Sequence, residues 1–564
     1  MKVNLPTIKT QEASNNLQRE LGYSASIADI LVNRGLDTKE KVQNFMDFNE
    51  SNIPDLNLLP DITKAVERIR KAQFLNEHVG VYTDYDADGA TSGSILVNGL
   101  RGLGIQTDFF TNDRFIEGFG MKPEGLRRFI KKYPDIKLII TSDNGIVAFD
   151  AVEEAKKMGI DVIITDHHEP DASGKIPDAI AVIDCKRYDN TYPFTECCGA
   201  GVAYKLIKKL YDELNGNPEI LQKQLPLVAL GTVADCMPLI EDNRFYVKEG
   251  LKLIGKSKIF NEFAYQLKIN KFDEETLGFY LGPICNAQSR LRGNALLPIS
   301  LFTCNENDTD FIKNAVEELI NVNNERKLYT EEEFEKAEEI IKQNNLDSKN
   351  IIIVQDDSFK EGIVGIIAGR IVEKYNKPAI VFARTEGSTF KGSARSVEGL
   401  HIKEAFDKLA DLILSYGGHA MAAGISIDEA NFNILYKELD KMTQGINTQQ
   451  NSNEIVIDAI IEPRDVNMKL IDEIELLKPF GEGWAPITFE IKNYIVEDKR
   501  LMKDIHLKLV NKDLNALIFN VGADIDKTIN KMDNISLIGV PKANVFNGNV
   551  SYDVILKSEE CIIK

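Results

Sequence analysis

The chain lacks several features that would define a class of protein. Its 564 residues contain no apolar run of about eighteen residues, so no segment is expected to span a membrane. The first residues lack the basic and apolar segments of a signal peptide. Seven cysteines, an odd number without a CxxC pair, argue against a disulfide framework and a zinc ribbon. We therefore expect a protein of the reducing cytoplasm.

Positive charge is also scarce. Lys and Arg number 67 against 87 Asp and Glu, which gives a net charge of −20. The field of the whole molecule would repel a polyanion, so a nucleic-acid partner would need a local basic groove together with bound metal ions. Otherwise the composition is that of a globular protein, with 43% hydrophobic and 8% aromatic residues.

Three acid-rich strand ends dominate what is present. They are GVYTDYDAD at 80–88, LIITSD at 138–143 and VIITDHH at 162–168. Each begins with an apolar, β-branched run typical of a buried parallel strand and then breaks into Asp or His. Ligands of open α/β sheets bind outside the carboxyl ends of the strands. The side chains that this places along one crevice are Asp84, Asp86, Asp88, Asp143, Asp166, His167 and His168.

So many carboxylates repel one another unless cations lie between them. The pattern therefore predicts more than one divalent metal ion, and with it hydrolysis of a phosphoester or phosphoanhydride. An EF-hand is excluded because Ile95 occupies the twelfth loop position and a strand precedes the loop. Asp143 is a candidate bridging carboxylate. Asp235, which follows the apolar run LVALGTVA, is either a helix cap or a distal metal ligand.

The strand and helix pattern predicts an α/β protein with a doubly wound, mostly parallel sheet. Strands are expected at 79–83, 105–110, 137–141, 161–165 and 180–183, and helices at 91–102, 123–132 and 147–157. The sequence predicts that the whole chain divides into five segments. They are a helical N-terminal cap on the catalytic domain (1–75), the catalytic α/β domain (76–305), a connecting helix (306–346), a second, smaller α/β domain (347–446) and, after a polar linker (447–454), a small β-barrel (455–564).

The second α/β segment carries two glycine-rich motifs, KGSARS at 391–396 and GGHAMAAG at 417–424. Glycine lets backbone amides approach an anion, and Arg offers a bidentate fork to phosphate. The alternative for the Gly/Ala stretch is close helix packing. The motif NAQSR at 286–290, between the two α/β segments, supplies a further candidate Arg for a phosphate.

In order along the chain, these motifs resemble those of the DHH phosphoesterases and, within them, the RecJ single-stranded-DNA exonucleases. The matching segments are Arg34-Gly35, DYDADG at 84–89, NDR at 112–114 with EGFG at 117–120, DNGI at 143–146, DHH at 166–168, CGAGVAYKL at 198–206, LVALGTVAD at 227–235, GPICNAQSR at 282–290, GSARS at 392–396, GGHAMAAG at 417–424 and KPFGEG at 478–483. Tyr82 departs from the pattern, since many superfamily members have a His ligand there.

The resemblance implies a DHH domain, a DHH-associated domain of the DHHA1 type and an oligonucleotide-binding (OB) barrel. It implies 5′-to-3′ degradation of single-stranded DNA to mononucleotides with Mn²⁺ or Mg²⁺, in DNA repair or recombination. The implied metal ligands are Asp84, Asp86, Asp88, Asp143, His167 and Asp235, and the implied catalytic residues are Asp143, Asp166 and His168. The implied substrate-binding residues are Arg114, Asn286, Arg290, Ser393, Arg395, Ser396, Gly418 and His419.

The expected mechanism uses two ions roughly 3.5–4 Å apart and an in-line attack on the terminal phosphodiester. One alternative is a phosphodiesterase of short oligonucleotides or cyclic dinucleotides, but such relatives need only the two α/β domains. The other is a DNA-binding scaffold with weak or lost catalysis, although all the acidic ligands are retained. We expect a monomer whose partner is single-stranded DNA, with a single-strand-binding protein or a helicase as candidate protein partners and no membrane.

Overall fold

A computed structural model describes residues 2–4, 10–171, 173–385, 387–445, 454–502, 506–519, 526–546, 549–556 and 561–563. The chain forms two compact units. The smaller unit combines residues 1–52 with 452–480 and 484–564, and the larger combines 53–451 with 481–483. Part of the predicted linker, residues 447–453, lies outside the described residues. None of the described helices is long and apolar enough to cross a bilayer.

The strands are β1 Lys2–Asn4, β2 His78–Thr83, β3 Thr107–Thr111, β4 Ile136–Ser142, β5 Asp161–Asp166, β6 Ala181–Asp184, β7 Ile352–Asp356, β8 Ala379–Arg384, β9 Thr389–Arg395, β10 Ser415–Gly418, β11 Ala422–Asp428, β12 Glu454–Val456, β13 Ala459–Ile461, β14 Phe489–Ile495, β15 Asp498–Met502, β16 His506–Val510, β17 Asn515–Ile518, β18 Asn534–Phe546, β19 Asn549–Leu556 and β20 Ile562–Ile563. The helices are α1 Gln11–Leu21, α2 Ala25–Asn33, α3 Lys39–Met46, α4 Ile62–Leu75, α5 Ala87–Gly102, α6 Pro123–Lys132, α7 Phe149–Lys157, α8 Gly199–Leu214, α9 Pro218–Ala234, α10 Glu241–Leu253, α11 Lys258–Leu267, α12 Glu274–Thr276, α13 Gly282–Arg292, α14 Leu296–Phe302, α15 Thr309–Gln343, α16 Val364–Tyr375, α17 Ile402–Asp407, α18 Glu429–Met442 and α19 Met468–Leu476.

The first sheet of the larger unit is parallel throughout, in the order β3-β2-β4-β5-β6. Val81 and Ile140 face one hydrophobic core and Tyr82 and Ile139 face another, so both faces are covered. This burial explains the continuous apolar runs and confirms the predicted doubly wound sheet. The strand order reverses between β2 and β4, which is the position where such sheets bind ligands.

The second sheet of the larger unit has the order β10-β11-β9-β8-β7, with only β7 and β8 parallel. The long helix α15 contacts α13 as well as α16 and β7, so it joins the first α/β domain to the second. Helix α17 ends at Asp407, and a 3₁₀ turn follows at Ala410–Leu412.

The smaller unit is built on a sheet in the order β13-β14-β18-β19-β17-β16-β15, with β20 beside β18. In the described part of the chain its two end strands, β13 and β15, do not pair, so the predicted barrel is OB-like only in a loose sense. Helices α1–α3 share the core of this unit, where Leu17, Ile27 and Leu31 are buried with Ile457 and Trp484. We expected these helices on the catalytic domain. Their apolar face predicts burial but does not identify the surface that covers it.

A buried lysine joins two helices of the catalytic domain. Lys205 of α8 is fully buried, and its Nζ lies 3.0 Å from Asp242 Oδ2 of α10 and donates to Cys197 Sγ at 2.8 Å. The rings of Tyr192 and Tyr246 flank the ammonium at 5.0 and 5.4 Å. Burial favours the neutral amine, but Cys197, Tyr246 and Asp242 hold the pKa of Lys205 above its ordinary value. The charge is therefore kept inside the protein by its partners.

Lys205→Met should lower the free energy of unfolding of the catalytic domain by about 3–5 kcal/mol, because Asp242 would remain buried without a counter-charge. Lys209→Met is the matched control on the same helix. Its ion pair with Glu213 is partly exposed, and its loss should cost at most about 1 kcal/mol. Urea unfolding followed by circular dichroism measures both. Equal midpoints for Lys205→Met and the unchanged protein would contradict a stabilising role for the network.

Candidate metal centre and arginine pocket

The acidic strand ends converge at the position where the strand order reverses. Asp84 follows β2 and Asp143 follows β4, and the Asp84 N–H donates to Ser142 O at 3.2 Å across the gap between these strands. Three sets of side chains each bring one ligand atom per residue within 4.8 Å of one another. They are Asp84, Asp86 and Asp143; Asp88, His167 and Asp235; and Asp143, His167 and His168. The structure thus brings together all six residues predicted as metal ligands.

Asp143 lies between the first two sets. It belongs to the first, and its Oδ1 is 3.1 Å from Nε2 of His167 in the second. The residue adopts a left-handed backbone with φ 61, which is uncommon outside glycine and directs its buried carboxylate into the centre. Gly199 allows this approach, because a Cβ there would lie 2.7 Å from Asp143 Cβ.

Helix ends position the other carboxylates. Asp86 caps α5 by accepting from the Gly89 N–H at 2.9 Å. Both oxygens of Asp88 accept from the first turn of α8, from Gly199 N at 2.6 Å and Ala200 N at 2.9 Å. A helix N-terminus favours an anion, so the CGAG motif fixes a metal ligand. Asp235 caps the C-terminal end of α9 and approaches His167 Nε2 at 3.6 Å.

The electrostatics of the centre fit divalent cations. Burial, and then the charges of neighbouring carboxylates, raise the pKa of Asp84 and Asp143 and bring those of Asp88 and Asp235 to about 7 and about 8. Asp84 Oδ1 and Asp143 Oδ1 are buried without a hydrogen-bond donor among the described residues. Oxygen ligands that repel one another and lack donors are suited to Mn²⁺ or Mg²⁺, and the imidazole of His167 is suited to Mn²⁺.

His168 is held by Asp166. Nδ1 of His168 lies 2.7 Å from Asp166 Oδ1, and the other oxygen of Asp166 accepts from Ile146 N at 2.9 Å. Burial would lower the pKa of His168, but Asp166, with Asp86 and Asp235, raises it to about 9. The carboxylates around His168 thus favour its charged, proton-donating form. Both oxygens of Asp166 are hydrogen-bonded, and one of them orients His168, while the catalytic role expected for Asp166 stays a prediction.

Two positions beside the centre differ from expectation. The ring of Tyr82, which departs from the pattern that the resemblance implies, packs against Phe110 and Phe129 at centroid distances of 5.1 and 6.2 Å. Tyr82 therefore belongs to the hydrophobic core on the sheet face that also buries Ile139. Asp184, at the end of β6, is a buried carboxyl that the motifs did not predict, and burial with the charge of Asp166 raises its pKa to about 8. Because β6 ends in a single acidic residue, the sequence had no acid-rich motif from which Asp184 could be predicted.

Four arginines form what we call the arginine pocket: Arg114, Arg290, Arg326 and Arg395. Burial, and then the charges of the other three, lower the pKa of Arg290 to about 10, while Asp86 of the metal centre opposes the shift. The Arg114 guanidinium lies 5.3 Å from the ring centroid of Tyr85. In the sequence, Tyr85 stands between the metal-centre residues Asp84 and Asp86. Mutually repelling guanidiniums beside a metal centre are suited to a phosphate. Arg326 lies on α15, outside any motif, and was not predicted.

Two of the predicted substrate-binding residues of the second α/β domain lie at a helix N-terminus. Arg395 Nη1 donates to Ser393 Oγ at 2.9 Å, and both side chains lie against Gly365 in the first turn of α16. A helix N-terminus of this kind is suited to a phosphate. Asn286, on α13 of the catalytic domain, instead holds the metal loop, by which we mean residues 84–88, because its Oδ1 accepts from Ala87 N at 2.8 Å.

Three further residues predicted to bind substrate have other environments. Ser396 is buried and its Oγ donates to Leu400 O at 2.8 Å, so its hydroxyl holds a loop. Gly418 has φ +144, and a Cβ would lie 2.4 Å from Ala422 O, so the turn itself requires glycine. His419 is exposed. Its N–H donates to Ala422 O at 2.8 Å, and within the described part of the chain its imidazole makes no hydrogen bond.

Gly199→Ala should weaken Mn²⁺ binding by about ten-fold or more, because the new methyl group displaces Asp143 from the centre of the ligand set. Gly255→Ala is the control, since a Cβ there meets nothing within 4 Å. Isothermal titration calorimetry gives the affinities and circular dichroism the fold. If the folded Gly199→Ala protein binds Mn²⁺ with unchanged affinity, Asp143 is not a ligand of the metal centre.

Comparison with known proteins agrees with this geometry. Three family models match the chain: the DHH family N-terminal domain over residues 78–232, the DHHA1 domain over 348–445 and the RecJ OB domain over 457–558. The crystal structure of RecJ in complex with Mn²⁺ from Thermus thermophilus matches with a TM-score of 0.81 and 25% identity, covering 98% of this chain and 78% of that one.

Two curated relatives are similar over most of their length. The single-stranded-DNA-specific exonuclease RecJ of Bacillus subtilis is 32% identical over 559 residues, 97% of this chain and 69% of the relative. The protein of the same name from Salmonella typhimurium is 32% identical over 528 residues, 88% of this chain and 90% of the relative. The motifs, the converging ligands and these matches lead to one conclusion: the chain belongs to the RecJ family of single-stranded-DNA-specific exonucleases.

Proposed function

We propose that this chain is a metal-dependent exonuclease that hydrolyses single-stranded DNA from its 5′ end to 5′-mononucleotides. The observation that carries the proposal is the junction of two ligand sets at Asp143 beside the arginine pocket. A metal centre alone would serve any phosphoesterase. A pocket for a second phosphate next to it fixes the distance between the strand end and the bond that is cleaved.

Divalent cations, Mn²⁺ or Mg²⁺, would neutralise charge on the scissile phosphate and activate the attacking water. Asp84 and Asp86 would hold one cation, Asp88, His167 and Asp235 the other, and Asp143 would be shared. His168 donates its proton to a phosphoryl or leaving oxygen, and Asp166 keeps the imidazolium charged and oriented. The protein supplies a fixed frame, so little reorganisation accompanies the reaction.

The arginine pocket would hold the terminal 5′-phosphate. Arg395 and Ser393, at the N-terminus of α16, provide a bidentate fork and a hydroxyl, and Arg290 and Arg114 approach from the catalytic domain. With the end phosphate fixed there, the next phosphodiester along the strand lies at the metal centre. Each cycle then releases one nucleotide, which gives the proposed polarity and product.

The two alternatives are less well supported. A phosphodiesterase of cyclic dinucleotides or short oligonucleotides needs no OB domain, yet residues 457–558 match one. A scaffold without catalysis would not need to keep three mutually repelling ligand sets. Among finer assignments, we infer a cytoplasmic monomer that works with a single-strand-binding protein or a helicase. None of the seven cysteines forms a disulfide, which fits a reducing compartment.

Asp143→Ala should lower turnover by at least about a hundred-fold and leave the fold intact, since one shared carboxylate serves both ligand sets. Asp150→Ala, an exposed carboxylate of α7, is the control. Both proteins are tested with Mn²⁺ on end-labelled single strands, duplexes and cyclic dinucleotides. Degradation of cyclic dinucleotides but not of single strands by the unchanged protein would favour the rival activity, and a fully active Asp143→Ala protein would contradict the mechanism.

Arg395→Ala should reduce turnover of a 5′-phosphorylated strand by about 10–100-fold, because a charge-assisted contact to the end phosphate is lost. Lys at this position should restore activity only in part. Arg384→Ala, which removes partly exposed ion pairs with Glu429 and Asp357, is the matched control. On a strand with a 5′-hydroxyl end, the unchanged protein and Arg395→Ala should turn over at similar rates. An equal loss on both strands would show that Arg395 acts elsewhere.

A further inference from the structure

An exposed aromatic pair lies on a distorted helix that leads into the active site. Between α12 and α13 the chain forms a π-helix, Leu277–Leu281, a feature frequent at functional sites. Its Leu277 and Leu281 are buried, whereas Phe279 and Tyr280 are 78% and 50% exposed. Within the described part of the chain, neither ring stacks on another ring or hydrogen-bonds. Two adjacent large rings in water indicate a surface that is covered when the protein functions.

The pair is continuous with the metal centre. Gly278 and Gly282 pack against Val233 and Ala234, the two residues before the ligand Asp235. The same run of helix then presents Asn286, which binds the metal loop, and Arg290 of the arginine pocket. This run of helix therefore carries, in sequence, the exposed aromatic pair, the half-buried Asn286 beside the metal centre and Arg290 of the arginine pocket.

The spacing suits a nucleic-acid strand. From Asn286 back to Phe279 the helix extends about 10 Å at ~1.5 Å per residue. That length corresponds to about three nucleotides at the ~3.4 Å per nucleotide of a stacked strand. The arginine pocket lies at the other end of this line. A strand anchored there by its end phosphate passes the metal centre and then reaches the two rings.

We propose that Phe279 and Tyr280 form a platform on which the bases 3′ of the scissile phosphate stack. This inference rests on the proposed exonuclease activity and adds the residues that hold the part of the strand not yet cleaved. Every base offers a π-face, so stacking accepts any sequence, as an exonuclease that advances along a strand requires. Holding the next nucleotides while the product leaves favours repeated cleavage over release.

The test compares long and short substrates. In the Asp143→Ala background, Phe279→Ala/Tyr280→Ala should weaken binding of a 5′-phosphorylated 30-mer by about five-fold or more. In the otherwise unchanged protein, the same pair of substitutions should raise the KM and shorten the run length on that strand. Hydrolysis of a 5′-phosphorylated dinucleotide, too short to reach the rings, should stay within about two-fold. Phe279→Tyr/Tyr280→Phe should keep all activities, because both rings remain.

Tyr265→Ala is the matched control, since Tyr265 of α11 is 79% exposed and lies on a different helix. A tryptophan at 279 (Phe279→Trp) gives a direct signal, because the chain has one other Trp, and its emission should be quenched by the 30-mer. If the 30-mer binds equally well after both rings are removed, the proposed stacking platform is wrong. The exposed rings would then be a contact surface for a protein partner. An equal loss on the dinucleotide would show that the rings support the fold of the site. If the unchanged protein hydrolyses neither substrate, the exonuclease proposal itself fails.

Discussion

The main physical constraint on this structure is the mutual repulsion of carboxylates that the parallel sheet brings together at one edge. Strands β2, β4 and β5 end side by side, so residues far apart in sequence, such as Asp84 and Asp143, share one buried space. In the absence of cations, burial and mutual charge raise the pKa of these groups. The surrounding elements hold them in place despite this cost. A site of this kind is stable mainly with its cations bound, which couples the fold of the centre to its chemistry.

The net charge of −20 is compatible with a polyanionic substrate because positive charge is concentrated in the arginine pocket, where we propose that the strand end binds. The charges of three other arginines act on Arg290, and the charge of Asp86 in the metal centre opposes them. Bound cations would remove the negative charge of the adjoining ligand sets. The local field then attracts phosphate while the remaining surface stays acidic, so binding is confined to the strand that reaches the centre.

The sequence predicted the features that depend on local pattern. Apolar runs ending in acids gave the strands of the first sheet, and their parallel order brought the ligands together. Contacts over long separations were not predictable. The burial of α1–α3 against the C-terminal strands depends on matching surfaces, and Arg326 lies on a helix with no motif around it. Ser396 and Gly418 lie within the motifs, and the structure shows local roles for them in a loop and a turn, so their expected contact with substrate stays a prediction.

Helix α8 connects the core of the catalytic domain with the metal centre. Its first turn fixes both oxygens of Asp88, and Gly199 in that turn makes room for Asp143. Further along the same helix, Lys205 ties it to Asp242 inside the core. Because a buried ion pair has a narrow range of favourable geometry, it fixes the position of the helix along its axis. We infer that this ion pair helps to hold the N–H groups that face Asp88 at hydrogen-bonding distance, so that a polar contact in the core supports the positions of the buried carboxylates.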